Sequence, residues 1–287
     1  MNQQLLSRFV ILLSCFFTVV MHAKKPAPLE KEIVITSQSR NNKTCYEKNL
    51  ASMLNQHYTN YRIIWVDDAS IDGTPELVEA YLKQHDTYGR VTFIKNKERQ
   101  GALKNFYTST HTCNDDAIIV FVDGDDVLAH NSVLEIVNQH YQNPDVWITY
   151  GSLKPLRVDR WNPAYWTKVP DDIIATNNFR HYRWVTSHLR TYYAWLFKLI
   201  KKEDLLYKGN FYEVAHDAAT MFPMLEMAGF HSKFVEDYLL IYNDESPIND
   251  AQLHTNLIAE SYRNISNAKK YAPLTERPAK TTITVVQ

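Results

Sequence analysis

The chain has 287 residues, with 31 Lys and Arg against 32 Asp and Glu and a formal net charge of -1. That length makes one large domain or two small ones with a sizeable core, and a composition of 45% hydrophobic and 22% charged residues excludes a disordered chain. Near-neutrality excludes a general attraction to nucleic acid or acidic lipid, so any polyanion must be met by a local basic site. Three cysteines, one of them Cys15 in an apolar leader, supply neither a disulfide framework nor CxxC metal spacing.

The leader is the uncharged run Phe9 to Met21, preceded by Arg8 and followed by Ala23-Lys24-Lys25-Pro26. Its 13 residues fall short of the roughly 20 that span hydrocarbon as a helix and match the apolar part of a signal peptide. Residues 1–30 read as a signal peptide or short signal anchor plus linker, with membrane association through residues 5–23. If the segment is retained, Lys24, Lys25 and Lys31 favour a cytosolic face for the body, while a cleaved leader sends it to the secretory pathway.

From Glu32 onward, apolar runs alternate with helical spacing. Glu32 to Thr36 reads as a strand entering a polar loop, and Cys45 to Gln56 as a helix with Leu50, Met53 and Leu54 on one face. Tyr61 to Val66 is a continuous apolar run, the pattern of a strand covered on both faces. A helix with Pro75 near its start follows. Arg90 to Lys95 is a third strand, Ala102 to Thr110 a third helix, and Ala117 to Val122 a fourth buried strand that stops at Asp123-Gly124-Asp125-Asp126. Ser132 to Tyr141 is helical and Val146 to Tyr150 a fifth strand. Such repeats predict an α/β domain, a mostly parallel central sheet flanked by helices, with ligands at the carboxyl ends of the strands.

After Gly151 the sequence turns rich in Arg, Trp and Tyr, including Arg183, Trp184, His188 and Arg190. Helices are predicted at Tyr192–Leu206, at Ala218–Met227 ending on Gly229, and at Asp250–Lys270, with a strand at Lys233–Tyr242.

Three carboxylates within four residues repel one another unless a cation gathers them, and hard oxygen ligands select Mg²⁺ or Mn²⁺. An Asp-x-Asp pair at a strand end can hold such an ion against the phosphates of a nucleotide. The segment Asp67-Asp68-Ala69-Ser70-Ile71-Asp72-Gly73 superficially fits a calcium loop, but a strand precedes it where that motif needs a helix, and Pro75 breaks it. Asp67 and Asp68 read instead as strand-end carboxylates, with Asp72-Gly73-Thr74 forming the turn into the next helix.

Four stretches in order, IVITSQSRN, IIWVDDASIDGT, KNKERQGALKN and IIVFVDGDDVL, resemble a family 2 glycosyltransferase of the GT-A fold. The later WVTSHLRTYYAWLFKLIKKEDLL, HDAATMFPMLEMAG and IYNDESPIND resemble the acceptor half of a bacterial-type branch. The resemblance implies one GT-A domain at 31–270, with a nucleotide-sugar-binding half at 31–150, an acceptor half at 151–250, and a tail at 271–287. It places Thr36, Asp68, Arg99, Lys104 and Asp123 on the nucleotide sugar, Asp123 and Asp125 on a Mn²⁺ or Mg²⁺ ion, and Asp217 as catalytic base. Thr36-Ser37-Gln38 stands where the family shows a Pro and an aromatic, which removes the ring that would stack on uracil.

The implied activity is inverting, metal-dependent sugar transfer from a nucleoside-diphosphate sugar to a glycan, lipid-linked or protein acceptor. Asp217 would take the acceptor proton with His216 beside it, although Asp at that place also suits a helix start. Two alternatives share this type of sheet. A sugar-nucleotide nucleotidyltransferase would want a Gly-rich loop after the first strand, which SQSRNNKT lacks. An inactive sugar-binding protein would have lost Asp125 or Asp217, and both are present.

Overall fold

Three apolar runs, now strands, form the centre of the molecule. The computed structural model describes residues 28–157, 159, 162, 166–245 and 255–279; the apolar leader lies outside the described residues. β1 (Ile33–Ser39), β2 (Tyr61–Asp67) and β4 (Ile118–Asp123) are almost wholly buried. Each fully buried aliphatic or aromatic side chain of this kind contributes about 1.5–3 kcal/mol. β3 (Val91–Lys95) completes a parallel quartet as a half-exposed edge strand.

Helices α1 (Tyr46–Leu54), α2 (Thr74–His85), α3 (Ala102–His111) and α4 (Val133–Tyr141) connect or follow these strands. Asp72 prepares α2: its Oδ1 accepts from the Thr74 amide (3.1 Å) and hydroxyl (2.6 Å), and Gly73 takes the φ of 89° that a side chain would disfavour. Pro75 then occupies the first turn.

The remaining strands of the main sheet are β5 (Val127–Leu128), β6 (Ile148–Pro155), β7 (Ser187–Tyr193) and β10 (Ser232–Tyr242). The eight-stranded sheet runs β3-β2-β1-β4-β7-β6-β10-β5. β6 and β10 are parallel, whereas β7 is antiparallel to both β4 and β6. This corrects the helix expected over Tyr192–Leu206. Ser187–Tyr193 is a fully buried strand, followed by the short α6 (Ala194–Lys198) and a 3₁₀ turn at Lys202–Leu205. A vacant position between β4 and β6 overrides the local spacing, as tertiary context commonly does.

A short α5 (Asp171–Ala175) precedes β7, and the hairpin β8 (Leu206–Tyr207) and β9 (Asn210–Phe211) leads into α7 (His216–Ala228). α8 (Thr255–Asn267) follows β10. Residues 271–279, read from sequence as part of a tail, lie against the body: Leu274 N donates to Met227 O at 2.8 Å, and Arg277 pairs with Asp116. Arg180, on a 3₁₀ turn, locks this side. Its Nε and Nη2 donate to the Glu226 carboxylate at 2.6 and 2.8 Å, its Nη1 to Ile265 O at 2.7 Å, and Glu226 also accepts from Tyr271 N at 2.9 Å. Among the described residues no helix is long and apolar enough to cross a membrane.

Candidate active site

Parallel pairing sets Gln38 opposite Asp123, and antiparallel pairing sets Phe121 opposite Arg190. With a side-chain period of two along a strand, Asp123 shares the face of Phe121, and His188 reaches that same end of the sheet from β7. There a cleft of about 530 Å³ opens, walled by the loop after β1, the β3–α3 loop, the end of β4, the start of α7, and Ile258 and Tyr262 of α8.

Asp68 is buried at the tip of β2, its carboxylate caught by the β3–α3 loop. Oδ1 accepts from Gln100 N and Asn96 Nδ2, both at 2.8 Å, and Oδ2 from Gly101 N at 2.9 Å. Burial pushes its pKa up, but the neighbouring Asn105, Gln100, Asn96 and Gly101 amides outweigh it and hold the carboxyl below its usual value.

The turn after β4 is gripped by Asn49 of α1, which is fully buried. Its Nδ2 donates to Asp123 O (3.0 Å) and Asp126 O (2.7 Å), while its Oδ1 accepts from Trp65 Nε1 at 2.9 Å. Asn42 Nδ2 donates to Gly124 O. Gly124 has no room for a side chain, because a Cβ there would stand 2.6 Å from Gln38 O and 2.7 Å from Ser39 Cβ.

Three ligand atoms, one each from Asp123, Asp126 and His188, lie within 4.8 Å of one another. Asp123 Oδ2 is 3.7 Å from His188 Nε2, and Oδ1 is 4.0 Å from His216 Nε2. Asp123 keeps 28% of its side chain open to the cleft. Burial of its carboxylate, with the Asp125 and Asp217 charges, outweighs His216 and Arg190 and raises its pKa to about 6. Asp126 is fully buried; burial and its acidic neighbours push it well above the usual range, against the Asn243 amide and Arg190. Its Oδ1 accepts from Asn243 N at 2.8 Å, while Oδ2 has no protein partner. Burial, Arg190 and His216 hold His188 far below its usual pKa, so the ring is neutral. A half-buried and a fully buried carboxylate, an unsatisfied oxygen and a neutral imidazole make a donor set that fits a divalent ion.

Asp217 faces this cluster from the first turn of α7. Its Oδ1 accepts from Ala218 N at 2.8 Å, and its Oδ2 is 3.4 Å from Arg190 Nη2. Arg190 is buried, bonds Thr186 O through Nε at 3.2 Å, and lies 5.7 Å from the Trp184 ring centroid. The helix begins one residue earlier than Asp217, after Ala215 in a left-handed conformation (φ 57°), so Asp217 serves the helix start without being its cap.

Of the residues singled out from sequence, Asp68, Arg99, Asp123, Asp125 and Asp217 line the cleft together. Asp125 does so without joining the group of Asp123, Asp126 and His188. Thr36 is fully buried in mid-β1 between Ile64 and Phe121, and Gln38 to Asn42 form the wall instead. Lys104 is exposed on α3 and bonds Gln100, away from the cleft. Sequence reasoning passed over Asn49, although an Asn on the stripe with Leu50 and Met53 was a visible anomaly. It also passed over Glu213, which no local pattern marks.

A sequence model of the family described as "Glycosyl transferase family 2" matches residues 33–205. The glycosyltransferase GlyG of Streptococcus pneumoniae serotype 4 is 33% identical over 100 residues, which are 35% of this chain and 32% of that protein. The chain thus aligns with about a third of that relative. The crystal structure of S. aureus TarS 1-349 in complex with UDP-GlcNAc is similar in fold, with a TM-score of 0.56 and 15% identity over 75% of this chain and 59% of that one. So is the mannosyltransferase PcManGT from Pyrobaculum calidifontis in complex with GDP-Man and Mn²⁺, with a TM-score of 0.53 and 18% identity over 86% of this chain and 70% of that one.

Proposed function

Because this chain belongs to glycosyl transferase family 2, we propose that it moves a sugar from a nucleoside-diphosphate donor to an acceptor hydroxyl with inversion, Asp217 acting as general base. The observation that carries this reading is the convergence of Asp68 just after β2, Asp123 at the end of β4 and Asp217 in α7 on one cleft at the strand ends. The nucleotide-sugar complexes of TarS and PcManGT, proteins of the same fold, support it.

Asp68, fixed by three protein donors, would meet the nucleoside part, and Arg99 at the mouth would meet phosphate oxygens. Asp123, Asp126 and His188, with Asp125 beside them, would hold a Mn²⁺ or Mg²⁺ ion. When bound, that ion supplies positive charge against the charge growing on the leaving diphosphate. Asp217 takes the proton of the acceptor hydroxyl as its oxygen bonds to the anomeric carbon. The bond from that carbon to the phosphate oxygen breaks on the opposite face, its electron pair leaving with the nucleoside diphosphate. The configuration inverts and no covalent enzyme intermediate forms. Arg190 and the Ala218 amide hold the Asp217 carboxylate in place for this step. Tyr242 and Tyr262, on the cleft wall, are the aromatic residues that a sugar-bearing acceptor would meet.

A donor-hydrolysis screen over UDP-, GDP- and CMP-sugars with Mn²⁺ tests the proposal. Release of UDP or GDP that Asp217→Asn slows by about 10²-fold or more supports it, and turnover of no donor overturns it.

A further inference from the structure

Arg99 and Glu213 meet across the cleft mouth, Nη1 to Oε1 at 3.2 Å, with each side chain 51% exposed. They come from opposite halves: Arg99 from the β3–α3 loop, Glu213 from the segment between β9 and α7. Both line the cleft. Glu213 has a fixed root, because the next residue, Val214, is fully buried and Ala215 turns directly into α7. Three guanidiniums, Arg40, Arg99 and Arg190, line the cleft against five carboxylates, and Arg190 already faces Asp217. A diphosphate entering this acidic space therefore finds Arg99 engaged by another anion. Carboxylate and phosphate oxygens bind the guanidinium fork in the same way.

We propose that Glu213 is an internal competitor for Arg99, its carboxylate occupying the guanidinium where a diphosphate oxygen of the donor binds, so that donor affinity is set by exchange of one anion for the other. This rests on the donor-site reading above. Exposed pairs are weak and salt-screened, so Glu213 keeps Arg99 over the mouth yet yields to a more highly charged ligand.

Titration calorimetry on the full chain with Mn²⁺, using UDP and GDP as probes, tests the exchange. Glu213→Gln is expected to tighten binding of the better probe by about 1.5- to 5-fold at low salt, with the gain vanishing near 1 M NaCl. Arg99→Gln weakens binding, and the double variant binds like Arg99→Gln alone. If wild type binds a probe while Glu213→Gln leaves that affinity unchanged or weaker, the exchange is wrong. Equal tightening in the Arg99→Gln background also overturns it, since Glu213 would then act by charge alone. If wild type binds neither UDP nor GDP, the donor-site reading itself falls and takes this inference with it.

Discussion

The Arg190 guanidinium stands 3.4 Å from the Asp217 carboxylate, a contact between mid-sheet β7 and the first turn of α7. It fixes one oxygen of Asp217 while the Ala218 amide holds the other. Asp217→Asn keeps the size and the helix-start bond but removes the proposed proton acceptor. Turnover should fall by about 10²- to 10⁴-fold, the usual share of general-base catalysis, with nucleotide affinity nearly unchanged. Single-turnover kinetics beside UDP calorimetry would check this, and wild-type rates would remove Asp217 from the role.

Asp123 gives a pH dependence with a definite sign. Its folded pKa of about 6 lies above the unfolded value of 3.8, so the stability it contributes is complete below the lower value and lost as pH rises through the higher. Without added metal, the thermal midpoint of wild type relative to Asp123→Asn should fall between pH 5 and pH 7. A divalent ion needs the ionised carboxylate, so Mn²⁺ should raise the wild-type midpoint more at pH 7 than at pH 5. Equal Mn²⁺ shifts at both pH values would exclude Asp123 as a ligand.

Gly124 is the contact point of the β1 and β4 ends. Gly124→Ala would drive a methyl against the Gln38 carbonyl and Ser39, and overpacking of this kind costs about 1–3 kcal/mol. Urea unfolding should show that loss together with weakened nucleotide binding, because the displaced residues form the cleft wall. An unaltered unfolding midpoint would mean that the turn relaxes freely.

Arg180 and Glu226 form a fully buried two-point pair that also collects the Ile265 carbonyl and the Tyr271 amide. Glu226→Ala leaves a buried guanidinium uncompensated and should cost about 3–5 kcal/mol by urea unfolding. Replacing both residues by apolar side chains of similar volume should cost much less. A small loss in the single variant would show that water reaches Arg180.

The strands and helices expected through Tyr141 all reappear in order, because each of them is announced locally; only the two-residue β5, which pairs with the distant β10, is added. IIWV and IIVFV are continuous apolar runs, DDASIDGT is a turn sequence, and Pro75 marks a helix start. The stretch around Tyr192 departs from its local pattern for the opposite reason: Ser187–Tyr193 carries polar residues inside a fully buried strand, with Tyr141 and Thr149 hydroxyls meeting that of Thr191 at 2.9 and 2.6 Å. Those partners lie 50 and 42 residues away, so no window along the chain contains them.

The sequence alone determined that a strand ends in clustered aspartates, since charge repulsion and a broken apolar run are properties of neighbours. Only the tertiary structure decided which of those aspartates faces the cleft, which is buried beside His188, and which residues oppose Asp217. Those choices depend on β7 entering the sheet antiparallel between β4 and β6, and on Asn49 holding the turn from 74 and 77 residues away. Strand direction and long-range hydrogen bonds are settled by the free energy of the whole packed sheet, to which a local pattern contributes only its own small part.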